Sequence, residues 1–342
     1  MDNPDLFAAA RNGQLAALPA AQLTADTLLR PNASGNTPLH LAAKYGSLNQ
    51  VPPVVLTCEN LLRKNDAGYT PLHLAARHGH LGQVPPTLLT RENLLTRSNS
   101  GYTPLHQAAS GGTLDKLPAG LLTIELALTR TDSGNTLLHE AAEHGTLDRF
   151  PAQFLTRQTV TTGNVSGETV LHVAVFNGHL DQLPHTLLTA ENLLTKTANH
   201  DTCLHAAAIA GHLDQIPPEV LTHDNLVLPS KSGHTPIHAA AESGFLGQIP
   251  RGRLTLDLLI SRNDFGDTPL HAAAVEGHLK DIPREFLNRA TMMMRNYNGG
   301  TPVGAAIRYG HASQLPAEFI PKPPGIFDKL LYKLGVSRPP FG

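Results

Sequence analysis

One histidine sets the register of this chain. His40, His73, His106, His139, His172, His205, His238 and His271 follow one another at intervals of 33 residues without a slip. The words around them recur as well. Thr-Pro-Leu-His begins at Thr37, Thr70, Thr103 and Thr268, and Thr-Pro-Ile-His at Thr235. A glycine stands six residues after each histidine, from Gly46 and Gly79 to Gly244 and Gly277. A period of this length constrains the fold more than any composition does. One copy is too short to bury its own apolar face and must cover it with the next copy. The register extends outward to Phe7 and Gly13 at one end and to Gly304 and Gly310 at the other, so ten copies are expected over nearly all of the 342 residues.

Within a copy, Thr-Pro-Leu-His-x-Ala-Ala reads as a helix start. Threonine is the N-cap, and proline at the first helical position forfeits no hydrogen bond there. Leucine and the alanines form a narrow apolar stripe that lets neighbouring helices approach to about 8–10 Å. The glycine ends the helix in a left-handed conformation after about eight residues. Proline recurs twelve residues past the histidine register, from Pro19 and Pro52 to Pro283 and Pro316. A proline inside a helix costs about 3 kcal/mol or more, so a long second helix is excluded. The spacing predicts instead a short turn, a proline opening a second short turn, and a one-turn helix capped by the threonine of the Leu-Thr pair, as at Thr57, Thr90 and Thr189. Polar, glycine-containing loops such as "KNDAGY" and "RNDFGD" project before the next copy. In "TANHDT", His200 replaces the glycine and is expected in a left-handed conformation.

The 33-residue period, the Thr-Pro-Leu-His-x-Ala-Ala words and the following glycine resemble the ankyrin repeat. The departure is the Pro-x-x-x-Leu-Thr second half, where ankyrin repeats usually carry an uninterrupted helix; this variant resembles arrays of bacterial type. The expected fold is therefore an all-α ankyrin-repeat solenoid with interrupted second helices and projecting loop tips. Residues 1–320 would form the repeat array with its first and last copies as caps. Residues 321–342 would form a tail in which Ile326, Phe327, Leu330, Leu331 and Leu334 have helical spacing.

The regular histidines read as structural, each bonded to its own threonine and to a neighbouring loop. A zinc ion needs ligand nitrogens about 2 Å away, and copies about 10 Å apart cannot share one. No metal site, cofactor or catalytic constellation is expected, hence no enzyme: the chain shows no nucleophile elbow, no Walker loop, no His-Glu-x-x-His and no Cys-x-x-Cys. The net charge of 26 − 28 = −2 disfavours nucleic acid and anionic membranes as partners. No signal peptide or membrane span is legible. Cys58 and Cys203 fall at unrelated points of the repeat, which suits a reducing, cytoplasmic compartment.

The resemblance implies a non-catalytic interaction module or scaffold that binds a protein partner in a concave groove lined by the inner helices and loop tips. A secreted bacterial effector using the same groove on a host protein is the alternative, and a monomer is expected. The exposed inner positions fall four and five residues past the histidines, with loop positions four before them. They define an aromatic, basic zone (Tyr45, Tyr69, Arg77, His78, Tyr102), then Glu143 and His144. An apolar zone follows with Val165, Val173, Phe176 and Ile209, and a mixed one with Phe265, Val275, Tyr297, Arg308 and Tyr309. Tyrosine and arginine are enriched at interface hot spots, and exposed apolar patches mark contact surfaces. A basic row at Lys64, Arg97, Arg130, Lys196, Arg262 and Arg295 is expected to be a solvated edge, partly neutralised by Asp66, Asp132 and Asp264.

Overall fold

The computed structural model describes residues 4–118 and 120–320. The expected amphipathic tail helix lies outside the described residues. The chain divides into two compact parts, Met1–Pro236 and Ile237–Gly342. Both are helical, and the described residues contain no β-strand beyond two isolated bridges, Arg130 with Thr136 and Gly163 with Thr169.

In the first part, the helices Pro4–Asn12, Pro38–Tyr45, Pro71–Arg77, Pro104–Ser110, Leu137–His144, Val170–Phe176 and Cys203–Ala210 pack in series, each against the next. In the second part, Pro269–Glu276 packs on Pro302–Arg308 in the same way. The core they enclose is leucine and alanine: Leu39, Ala42 and Ala43 are fully buried, as are Leu138, Ala141 and Ala142. This is the fold expected of an all-α solenoid.

The local devices follow from the sequence words. Thr37 is the N-cap of Pro38–Tyr45, and Gly46 ends it at φ +76°. In the second half of the copy, Leu48–Gln50 is a single 3₁₀ turn, and Cys58–Leu61 is a one-turn helix capped by Thr57, whose side chain accepts from the Asn60 amide. Proline stands immediately before the second turn rather than inside it. Pro85, at φ −51° and ψ 128°, precedes the turn Pro86–Leu88. The second helix is thus interrupted where a proline ring would clash with the preceding turn. Among the described residues, His200 is the non-glycine residue with positive φ, at 64°, in the loop register that glycine fills at Gly167 and Gly233.

Three hydrogen-bond registers join successive copies. The first runs from the histidines forward: His40 Nε2 to Tyr69 O at 3.2 Å, His139 Nε2 to Glu168 O at 3.0 Å and, in the second part, His238 Nε2 to Asp267 O at 3.0 Å. The second runs backward from glutamine. Gln182 donates to Gly145 O at 2.9 Å and accepts from Leu147 N at 2.9 Å, so one amide brackets the end of the preceding helix. Gln50, Gln215 and, in the second part, Gln314 repeat this bracket. The third links the loop tips by backbone: Asp66 N to Ser34 O, Val165 N to Ser133 O, Ala198 N to Ser166 O and, in the second part, Tyr297 N to Phe265 O.

The basic row is an exposed edge, as the sequence suggests, and three of its arginines also reach backbone carbonyls of the following copy. Arg97 donates to Arg130 O at 2.9 Å and Arg130 to Gly163 O at 2.9 Å; in the second part, Arg262 donates to Arg295 O at 2.8 Å. Arg97 also pairs with Asp132 at 2.6 Å. Guanidinium groups here hold loop carbonyls of the following copy.

Candidate functional site

The threonine–histidine pair fixes the inner helices and the protonation of the imidazoles. In Pro71–Arg77, the Thr70 amide donates to His73 Nδ1 at 3.2 Å, and Thr70 Oγ1 lies 2.8 Å from the same atom. Because Nδ1 accepts a backbone N–H it carries no proton, so the ring proton is on Nε2, which donates to Tyr102 O at 3.0 Å. Burial pushes His40, His73, His106 and His139 down to a pKa of about 4, from 6.5. His172, His205 and His271 are lowered by the same cause. Neutral rings with both nitrogens engaged have nothing left to offer a metal or a substrate.

The C-terminal ends of these helices carry the surface. Tyr45 is 42% exposed, with the Lys44 ammonium 5.3 Å and the Arg11 guanidinium 6.0 Å from its ring centre. Arg77 and His78 are exposed, and Arg77 donates to Gln107 Oε1 at 3.1 Å. Tyr69 and Tyr102 are only half-buried loop residues, because their rings stand edge-on to His73 and His106 at 5.4 and 5.9 Å. Burial, with Glu140 and Glu143 nearby, pushes the Tyr102 hydroxyl up to about 12.

Glu143 and His144 are exposed at the end of Leu137–His144. His144 Nδ1 donates to Glu140 O at 3.0 Å. Carboxylate oxygens of Glu140 and Glu143 and a ring nitrogen of His144 lie within 4.8 Å of one another. Beneath them the Glu140 side chain is buried and accepts from Asn135 Nδ2 at 3.1 Å; burial raises its pKa. Glu140 and the equally buried Gln107 follow directly after the register histidine. That position is Leu41, Leu74, Val173 and Ala206 elsewhere, so a polar residue breaking an apolar column is the signal the sequence offers.

Phe176 and Ile209 are 50% and 52% exposed. Together with Glu143 and Val173 they line one depression of about 470 Å³. Loop residues Asn164, Ser166, Glu168, Asn199 and Asp201 complete its wall. The structure thus brings together four of the sequence candidates, Glu143, Val173, Phe176 and Ile209, while Val165 stands exposed on the neighbouring loop tip. Tyr45, Tyr69, Arg77, His78, Tyr102 and His144 do not line it. In the second part, Phe265, Arg308 and Tyr309 are exposed, Val275 is half-buried, and Arg308 lies 5.9 Å from the Tyr309 ring centre. Ser110, four residues past His106 and therefore expected to be exposed, is buried: the following Gly111 packs directly on the Arg77 carbonyl, drawing the two helices together.

Comparison with protein families gives this architecture its class. A family model described as three copies of ankyrin repeats matches residues 54–118, and a single ankyrin repeat matches residues 34–67 and 265–297. No curated protein matches the chain. The chain carries ankyrin repeats over these residues. Ankyrin repeats serve generally as protein–protein interaction modules and are typically non-catalytic. Among the described residues, no helix is long and apolar enough to cross a membrane.

Proposed function

We propose that this chain is a non-catalytic scaffold that holds a protein partner against the inner-helix ends and loop tips of residues 4–236. The observation that carries this reading is the depression beside Phe176 and Ile209. Two large apolar side chains stand half exposed at a wall of polar loop tips. A soluble surface keeps such groups in contiguity chiefly where something covers them. Tyr45, Tyr69, Arg77 and Tyr102 extend the same face as hot-spot residue types, with His78 next to Arg77. Phe265, Val275, Arg308 and Tyr309 offer a further contact area in the second part. The reading treats residues 1–320 as one repeat array, 321–342 as a separate tail, and the protein as a monomer of the cytoplasm. Two unpaired cysteines, one exposed and one buried, support that compartment. Export of the protein to act on another cell would use the same face, and a translocation assay separates the two.

The test is site-specific photo-crosslinking in the producing cell. A photoreactive amino acid replacing Phe176 or Tyr45 is expected to trap a discrete partner. One replacing Val54, exposed at the outer turns, is expected to trap none. Equal yields from all three positions would remove the inner face from the function.

A further inference from the structure

The depression between Leu137–His144, Val170–Phe176 and Cys203–Ala210 has one sign of charge at its rim. Glu143, Glu168 and Asp201 line it, and none of its lining residues is lysine or arginine. Its two imidazoles are engaged: His172 Nε2 donates to Asp201 O at 3.3 Å and His205 Nε2 to His234 O at 3.2 Å. Burial lowers the pKa of both, so they stay neutral at neutral pH. Among the described residues, none of the three carboxylates is in an ion pair. Glu168 accepts from the uncharged Asn164 amide at 2.9 Å, which leaves its charge uncompensated. The cations of the adjoining loops lie outside the lining. Arg130 is committed to Gly134 O and Gly163 O, at 2.7 and 2.9 Å, and Lys196 is exposed.

We propose that this depression receives an extended peptide segment of the partner in which an apolar side chain is flanked by lysine or arginine. The inference rests on the inner-face reading and adds the chemistry of the occupant. The apolar side chain packs beside Phe176, Val173 and Ile209, and the flanking cations meet Glu143, Glu168 and Asp201. A concave, low-dielectric wall carrying one sign of charge concentrates the opposite sign and discriminates against like charge. The face of the Phe176 ring adds a cation–π contact for an arginine.

The experiment uses the full chain and three fluorescein-labelled synthetic peptides, each a leucine within a Gly-Ser frame, flanked by two arginines, two serines or two glutamates. Fluorescence anisotropy reads binding. The arginine peptide is expected to bind, with the glutamate peptide at least about tenfold weaker and the serine peptide between them. The double variant Glu143→Gln/Glu168→Gln is expected to weaken the arginine peptide about fivefold and leave the serine peptide unchanged. Phe176→Ala is expected to weaken all three, and the arginine peptide most. These side chains are exposed, and unchanged thermal melting confirms that the variants fold. No measurable binding of the arginine peptide, or a glutamate peptide that binds as tightly, overturns the proposal. Charge-independent binding that Phe176→Ala still weakens defeats the charge preference alone and leaves the inner-face reading standing. Absence of peptide binding together with absence of crosslinks from position 176 defeats both.

Discussion

The Nε2–H of His73 meets the carbonyl oxygen of Tyr102 at 3.0 Å, so a ring anchored by Thr70 in one copy closes on the loop of the next. The bond requires a neutral ring whose proton sits on Nε2. The same geometry recurs along the array, which makes proton uptake a property of the whole fold rather than of one site.

Acid is therefore expected to destabilise this protein early. His40, His73, His106 and His139 hold a pKa of about 4 against an ordinary 6.5, so as the pH falls the unfolded chain binds protons first. Their stabilisation is complete above 6.5 and is lost between 6.5 and about 4, by up to about 3 kcal/mol for each ring. Circular-dichroism melts from pH 7.5 to 4 should show a midpoint falling steadily below 6.5. A flat profile down to pH 5 would contradict the assignment.

Gly145→Ala should destabilise the fold by about 2 kcal/mol, through left-handed strain and a new clash together. Gly145 sits at φ +70°, and a Cβ there would lie 2.7 Å from His179 Nε2. Gly82→Ala is the control: an added Cβ meets nothing within 4 Å, so its denaturation midpoint should match wild type.

His200→Gly should stabilise the protein by about 1 kcal/mol, since a side chain at φ 64° carries strain that glycine does not. Urea titration measures this directly, and a loss of stability would show that the imidazole earns its place in the loop.

Gln182→Ala should cost about 1–2 kcal/mol. The substitution strips Leu147 N of its acceptor and Gly145 O of its donor at once. Hydrogen exchange should accelerate at the Leu147 amide before it does elsewhere; unchanged protection there would sink the bracket.

Glu140→Gln should raise stability, in the direction opposite to the histidines. Burial raises the Glu140 pKa, so its ionisation opposes folding and its contribution diminishes as the pH rises. The gain should be about 1 kcal/mol at pH 8 and smaller near pH 4.5, read from paired melts. A gain independent of pH would mean that the carboxylate is not the titrating group.

The inner helices, their threonine caps, the closing glycines, the interrupted second half and the left-handed His200 were all legible in the sequence. Each depends on residues close together in the chain. The bracketing glutamines recur in one register, at Gln50, Gln83, Gln182, Gln215 and Gln314, broken by Lys116, Arg149 and Asp281, and their partners lie in the preceding copy where no local rule names them. The surface was harder to read. Position in the repeat correctly gave Phe176 and Ile209 as exposed but failed at Ser110, because the approach of Gly111 to Arg77 is a variation between copies that an average register hides. Glu140 is hidden for a related reason: a buried carboxylate is tenable only because Asn135 reaches it, and no local rule names that bond.

The side-chain bonds between copies described here span at most 37 residues, from Gln182 to Gly145. A nascent chain leaving the ribosome can therefore secure each copy on the one already outside, within a few seconds of its appearance at ordinary elongation rates. No segment of these residues has to wait, greasy side bare, for a distant stretch still to be translated.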